Sequence, residues 1–301
     1  MNVAVLLSTY NGGKYLEEQI DSILDQQLNG EICLIVRDDG SSDNTAEILN
    51  RYADRGRLKW SPGDNLGSAG SFLQLLKSNP GYDYYAFADQ DDVWFKDKIQ
   101  KAVDAIKNEG RPALYSSNAE LVNEDLSGAG RLVHRHIPKT DMYTVSIEGG
   151  HLGCTMVFNC ELAKIVQENP LPNKIIMHDH LMALLCTACG GYFVYDRFPT
   201  MYYRRHGGNV TEISNSVKDI VSSRLKGLKK GKGPGIADQA YCALTEYSGY
   251  MTETAQKWLE RVAEYKTTVF ERVKLGLSRK TKYQSLSTAF TLRLGIILGN
   301  K

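Results

Sequence analysis

A chain of 301 residues, 42% apolar and 24% charged, is long enough to bury a large α/β core. That composition excludes a disordered segment, a collagen-like fibre and a small disulfide scaffold. The net charge of +1 hides an asymmetry: from residue 201 onward 18 Lys/Arg face 8 Asp/Glu, a balance of +10, whereas the preceding residues carry −9.

Residues 3–7 form a continuous apolar run of buried-strand type, and Leu16, Ile20, Ile23 and Leu24 then recur at helical spacing behind a turn at Asn11, Gly12 and Gly13. The pattern repeats, with a strand at 32–36, a polar cluster at 38–43 and a helix carrying Ala46, Ile48 and Leu49. A strand at 58–60, a helix at 72–76, a strand at 84–88 and a helix at 95–106 continue it. Such alternation predicts a parallel sheet sandwiched by helices, with ligands at the carboxyl ends of the strands.

Further on the pattern is mixed: strands at 113–117 and 155–158, a polar loop from about 125 to 148, a helix at 179–188, and strands at 192–195 and 201–203. A Gly/Lys linker at 227–235 precedes a segment that is helical in pattern to the end. No apolar run approaches the roughly 20 residues that span a bilayer, and no leader pattern opens the chain, which predicts a cytosolic protein. Cys33, Cys154, Cys160, Cys186, Cys189 and Cys242 are dispersed in apolar runs and read as reduced thiols, including the CxxC pair at 186 and 189.

The sharpest motif is Asp89-Gln90-Asp91-Asp92, three carboxylates in four positions directly after a buried strand. Like charges beside a core repel unless a cation neutralises them, and an oxygen-only ligand set suits Mg²⁺ or Mn²⁺. The plain alternative is an acidic turn capping the next helix. Two further polar strand ends, Ser8-Thr9-Tyr10-Asn11 and Arg37-Asp38-Asp39-Gly40-Ser41, offer the groups a nucleobase and ribose require, or equally ordinary turn and cap chemistry. GxGxxG and GxxxxGK[ST] are both missing, which disfavours a dinucleotide fold and a P-loop.

The series STYNGGKYLEEQIDSIL, RDDGSSD, Asn65-Leu66-Gly67 and FADQDDVW resembles glycosyltransferase family 2, inverting nucleotide-sugar transferases whose catalytic domain has the GT-A fold. GGHLGCTMVFN, MHDHLMALLCTACGG and MYYRRHGGNV resemble the rhamnosyltransferase branch of bacterial polysaccharide synthesis, and the matches together cover about residues 2–211. The implied fold is an α/β GT-A mixed sheet with helices on both faces over 1–212, followed by a basic helical region at 213–301. Thr9, Tyr10, Asn11, Asp38, Asp39 and Asn65 then belong to the nucleotide-sugar site. Asp89 contacts ribose or metal, Asp91 is the metal ligand that bridges to the diphosphate, and Asp92 is unassigned.

On the same resemblance Asp179 is the general base, Gly150 lies beside the donor sugar, and Arg205 and His206 lie at the diphosphate, with His206 a candidate metal ligand. Independently, inversion at an anomeric carbon needs a carboxylate to take the acceptor proton and a cation to stabilise the departing diphosphate. His178-Asp179-His180 also reads as a helix cap between two histidines, or with His206 as a zinc set. The implied substrates are dTDP-rhamnose and a lipid-linked or polysaccharide acceptor, with a UDP-hexose donor or a non-catalytic nucleotide-sugar-binding module as rivals. A 6-deoxysugar predicts an apolar wall, for which Trp94, Leu152 and Met156 are the candidates.

Lys226, Lys229, Lys230, Lys232, Arg279, Lys280 and Lys282 beside an apolar C-terminal helix suit an anionic membrane surface. A helical cap on the catalytic domain or a homodimer contact explains them as well, and no nucleic-acid motif accompanies them.

Overall fold

The computed structural model describes residues 1–128, 130–207 and 233–301. Most of the linker at 227–235, its three lysines, Lys226 and the boundary at 212 lie outside these residues. The elements run β1 (Asn2–Thr9), α1 (Leu16–Leu24), β2 (Glu31–Asp38), α2 (Thr45–Asp54), β3 (Lys59–Pro62), α3 (Gly67–Ser78), β4 (Tyr84–Ala88), β5 (Val93–Trp94), α4 (Lys98–Ile106), β6 (Ala113–Val122) and β7 (Arg131–Leu132). Then come α5 (Met142–Glu148), a 3-10 turn at Gly153–Thr155, β8 (Val157–Asn159), α6 (Cys160–Gln167), α7 (His178–Ala188) and β9 (Tyr192–Arg204). Beyond residue 232 follow α8 (Ile236–Tyr247), α9 (Glu253–Glu264), α10 (Val269–Gly276) and α11 (Leu286–Ile297).

The strands form one sheet in the order β3-β2-β1-β4-β8-β6-β9-β5, with β7 on β6. Strands β3, β2, β1 and β4 are parallel neighbours, as the alternating sequence predicts, so their carboxyl ends share one edge. Beyond β4 the sheet turns mixed: β8 is antiparallel to both β4 and β6, while β9 is parallel to β6. The two strands expected at 192–195 and 201–203 are a single strand, bulged where it passes Ser117 and Asn118. The stretch expected as a loop at 125–148 holds β7 and α5, the latter capped by the Asp141 side chain accepting from Thr144 N.

Strand alternation divides the core in two. Val3, Val5 and Leu7 face α1, α2 and α4, whereas Ala4 and Leu6, with Tyr85 and Phe87, face α3, α6 and α7. Helices therefore cover both faces. The second cluster runs without a break into Ile236, Ala240, Trp258, Leu259 and Val262, so α8 and α9 extend the layer built on α7. Cys186 and Cys189 carry free thiols, Cys186 fully buried in that layer. Among the described residues no helix is long and apolar enough to cross a membrane.

Candidate active site

The carboxyl ends of β1 and β4 are tied together by Gln90. Its Oε1 accepts from Thr9 Oγ1 at 2.7 Å and from Tyr10 N at 2.8 Å, while Nε2 donates to Tyr10 O. Gly12 lies beneath this clasp, and a Cβ there would lie 2.4 Å from Gln90 Oε1 and 2.6 Å from Thr9 Oγ1, so a side chain would push the clasp apart. Asn11 has φ 49°, in the left-handed region that Asn tolerates, and its Oδ1 accepts from Ser42 N at 2.8 Å. Thr9 and Asn11 are thus engaged in holding loops, and the half-exposed Tyr10 ring is what this turn presents to solvent.

At the end of β2, Asp38 accepts from Ser41 N and Oγ. Asp39 turns inward to an ion pair with the buried Arg37, and the same Oδ1 accepts from Leu66 N at 2.9 Å. Arg37 also donates to Asp64 O at 2.7 Å and Ser71 Oγ at 2.9 Å, so the pair fixes the loop into α3. The adjacent aspartates therefore do different work. Asn65 Oδ1 accepts from Gly67 N.

After β4 the carboxylates crowd. Asp89, Asp92 and Cys154 each bring one candidate ligand atom within 4.8 Å of the others. Burial first, then the charges of Asp91 and Asp179, push the Asp89 carboxyl up to about 7. Burial followed by Asp91 and Asp89 pushes Asp92 well above the carboxylate range. Asp92 Oδ2 has no hydrogen-bond partner among the described residues. Lys98, completely buried, donates to Cys154 O at 2.9 Å and lies 4.5 Å from the Trp94 ring centre; burial pushes its ammonium down to about 8. It only partly offsets the acidic charge. The group fits a hard divalent cation through its oxygens, whereas burial keeps the Cys154 thiol protonated and a poor ligand.

Strand β9 closes the other side. His206 Nε2 lies 2.6 Å from Asp91 Oδ2, and its ring packs 4.8 Å from that of Tyr15. Arg204 is buried, donating from N to Asp92 Oδ1, from Nε to Asp91 O at 2.9 Å, and from its remaining nitrogens to Glu124 O and the Glu18 carboxylate. Its donors hold the acidic loop, the turn at residue 124 and α1 together. Arg205 reaches Asn123 Oδ1 at 3.2 Å.

Asp179 lies in the first turn of α7, whose cap residue is Met177. Its oxygens accept from His180 N at 2.6 Å and Gly153 N at 3.2 Å. Burial pushes the carboxyl up to about 6, and these backbone donors hold it from rising further. His178 is sealed between Phe72, 4.1 Å away, and Phe87, 4.9 Å away, and burial pushes it down to about 3, so it is neutral. His180 Nε2 contacts Val145 O at 2.6 Å, and among the described residues no metal-type cluster joins His178, His180 and His206. Gly150, at φ 87°, sits in the preceding turn.

The sequence profile for Glycosyl transferase family 2 matches residues 4–163. The chain belongs to that family. Over 223 residues, 70% of this chain and 75% of the other, it is 32% identical to the dTDP-rhamnosyl transferase RfbG of Shigella flexneri. The crystal structure of S. aureus TarS 1–349 in complex with UDP aligns with a TM-score of 0.56 at 18% identity, covering 93% of this chain and 73% of that one. The mannosyltransferase PcManGT from Pyrobaculum calidifontis, in complex with GDP-Man and Mn²⁺, aligns with a TM-score of 0.51 at 17% identity, covering 99% and 85%. The fold of this family 2 glycosyltransferase is GT-A.

The wall expected for a sugar methyl changes with the structure. Trp94 and Met156 are sealed in the cores on opposite sides of the sheet and form no wall for a sugar methyl; of the three candidates only Leu152 keeps accessible surface. Gln90, Lys98, Gly153 and Cys154 touch the candidate site residues or the loops that carry them, which sequence alone did not single out. Gln90 and Lys98 sit inside or just past the acidic motif, and their roles come from partners far away in sequence. A broad open groove between α1 and β5, lined by Glu18, Asp21, Tyr52 and Arg55 among others, includes none of the strand-end aspartates at 38–39 and 89–92, nor Asp179.

Proposed function

We propose that this glycosyltransferase moves L-rhamnose from dTDP-rhamnose, with inversion, onto a polysaccharide or lipid-linked acceptor, using Mn²⁺ or Mg²⁺. The observation that carries this is a pair of carboxylate stations, Asp89-Asp91-Asp92 after β4 and Asp179 at the start of α7, close enough that the Asp179 charge acts on Asp89. Inversion needs both stations on opposite sides of the anomeric carbon. The 32% identity to RfbG supports the choice of sugar.

Asp91, Asp89 and His206 are the residues that would hold the cation, with Asp92 behind them. When bound, the cation supplies charge stabilisation to the departing diphosphate. Asp179 accepts the proton of the acceptor hydroxyl as that oxygen bonds to the anomeric carbon and the bond from carbon to diphosphate breaks. Neutral below its raised pKa and ionised above it, Asp179 is matched to that task near neutral pH. Tyr10 and Asp38 face the nucleoside, Asn65 and Gly150 lie around the donor, and Arg205 lies toward the diphosphate. Asp39, Thr9 and Asn11 act by holding the loops that make this surface.

The basic helical region after residue 212 is proposed as the part that meets the acceptor's surroundings at the inner face of the cell membrane. The deciding experiment is competitive turnover of dTDP-rhamnose against UDP-glucose and UDP-galactose, with each metal. Faster turnover of a UDP-hexose would overturn the sugar and leave the metal and base roles standing.

A further inference from the structure

Helices α10 and α11 close on each other through a narrow seam: a Cβ at Gly276 would lie 2.7 Å from Ile297 Cγ1 and 3.2 Å from Arg293 O. That close approach buries Leu275, Gly276, Gly295 and Ile296 and leaves the outer sides uncovered. Phe270 is 70% exposed, Leu286 92% and Phe290 69%. Spacing of four places Phe270 and Lys274 on one side of α10, with the exposed Leu277 just past its end, and spacing of four places Leu286 and Phe290 on one side of α11. The Lys274 ammonium lies 5.7 Å from the Phe270 ring. Large side chains this exposed lose the free energy of burial unless something covers them.

The charge around them says what the cover is. From residue 265 to the end the chain holds eight basic residues and a single acidic one, Glu271. A second copy of this face would set like charge against like, and a nucleic acid would satisfy the cations while leaving the phenylalanines wet. A surface with anionic groups outside and apolar matter just beneath satisfies both.

The segment joining the two helices also docks on α5 and against Gly150. Lys282 N donates to Thr144 Oγ1 at 2.9 Å, Gln284 N to Glu148 Oε2 at 3.4 Å, and Gln284 Nε2 would stand 3.3 Å from a Cβ on Gly150. Leu286 follows two residues later. We infer that the outer face of α10 and α11 is a docking surface for an anionic lipid bilayer, seating Phe270, Leu286 and Phe290 at the headgroup boundary with Lys274 and its neighbours against the headgroups. It sets the mouth of the site at the membrane plane, so a lipid-held acceptor meets Asp179 from that side. The docking surface stands on its own geometry; only the delivery of acceptor rests on the proposed transfer reaction.

The test is sedimentation of the full chain with vesicles of phosphatidylcholine alone or mixed with phosphatidylglycerol. Binding to the mixed vesicles is expected at low salt, with roughly tenfold loss or more in the triple variant Phe270→Ser, Leu286→Ser, Phe290→Ser and a similar loss at high salt. Donor hydrolysis, read on the same preparations, should be unchanged in the variant, so a failure of the transfer chemistry shows separately. Equal partition of wild type and variant, or no preference for the anionic vesicles, overturns the inference. So does a wild-type dimer that the three substitutions turn into a monomer, because a second copy would then be the cover.

Discussion

His206 Nε2 stands 2.6 Å from Asp91 Oδ2, joining the end of β9 to the loop after β4 across 115 residues of chain. Two positions earlier Arg204 donates to the Asp91 carbonyl and, through its backbone, to Asp92. The acidic loop is therefore set by β9. Its shape depends on a strand that follows most of the GT-A sheet in sequence.

That contact gives the first prediction. Asp91→Ala should abolish transfer, and His206→Ala should weaken Mn²⁺ binding by about 10- to 100-fold, read by calorimetry without donor. EDTA should inactivate the wild type. Full activity in EDTA, or unaltered Mn²⁺ affinity in both variants, would remove these residues from the cation site.

The parallel half of the fold was legible because β1, β2 and β4 are apolar runs, each paired with a helix that repeats its apolar residues at helical spacing. The mixed half was not. Strand β8 is three residues long and takes its place from partners on both sides, while β9 is one strand whose middle, Asp196-Arg197-Phe198-Pro199, reads as a turn. At the site, sequence pointed to carboxylates at strand ends but could not say which way each faces. Asp38 and Asp39 are adjacent, yet only Asp39 is consumed by Arg37. Trp94 and Met156 look like pocket walls by type and lie in the core, Trp94 at the end of β5 and Met156 in the residue between the 3-10 turn and β8.

Arg37 is predicted to be structural. Removing one member of a buried ion pair strands the other, at a cost of about 3–5 kcal/mol. Arg37→Met should lower the melting temperature accordingly, and Arg37→Lys should recover little, since one ammonium cannot serve Asp39, Ser71 and the Asp64 carbonyl together. Melting curves of the two variants decide it; a lysine variant as stable as wild type would contradict the argument.

Gly153 is predicted to govern turnover. An added Cβ would stand 2.6 Å from His178 Nε2 and 3.2 Å from Asp179 Cβ, against a ring already sealed by Phe72 and Phe87. Gly153→Ala should displace the start of α7 and cut kcat by about tenfold or more, with donor KM little changed, because misplacement of a reacting group costs rate before it costs binding. A variant with normal kcat would show that the turn yields freely.

The crowding of Asp89 predicts how stability varies with pH. Its pKa rises on folding from 3.8 to about 7, so the folded chain keeps a proton that the unfolded chain has released. The stabilisation is complete below pH about 4 and is lost as pH rises through about 7. Asp89→Asn cannot lose it. Without divalent metal, the melting temperature of the variant relative to wild type should therefore climb between pH 4 and 8. A difference that stays flat across that range would mean Asp89 is not desolvated.

Asp179 carries the last prediction, and two measurements bear on it. As a base it must be ionised, and burial sets its pKa at about 6 in the free enzyme. Since kcat/KM reports ionisations of the free enzyme, its pH profile should fall about tenfold per unit below pH 6 and level off above it. Asp179→Asn keeps the shape and one of the two oxygens that accept from His180 N and Gly153 N, while removing the proton acceptor. It should bind donor nearly as well as wild type and lose roughly 10²–10⁴ in turnover, with the acid limb gone from whatever activity is left. If the variant lost donor affinity instead, with turnover and the acid limb intact, Asp179 would be a donor-site residue and the base would lie elsewhere in the crevice.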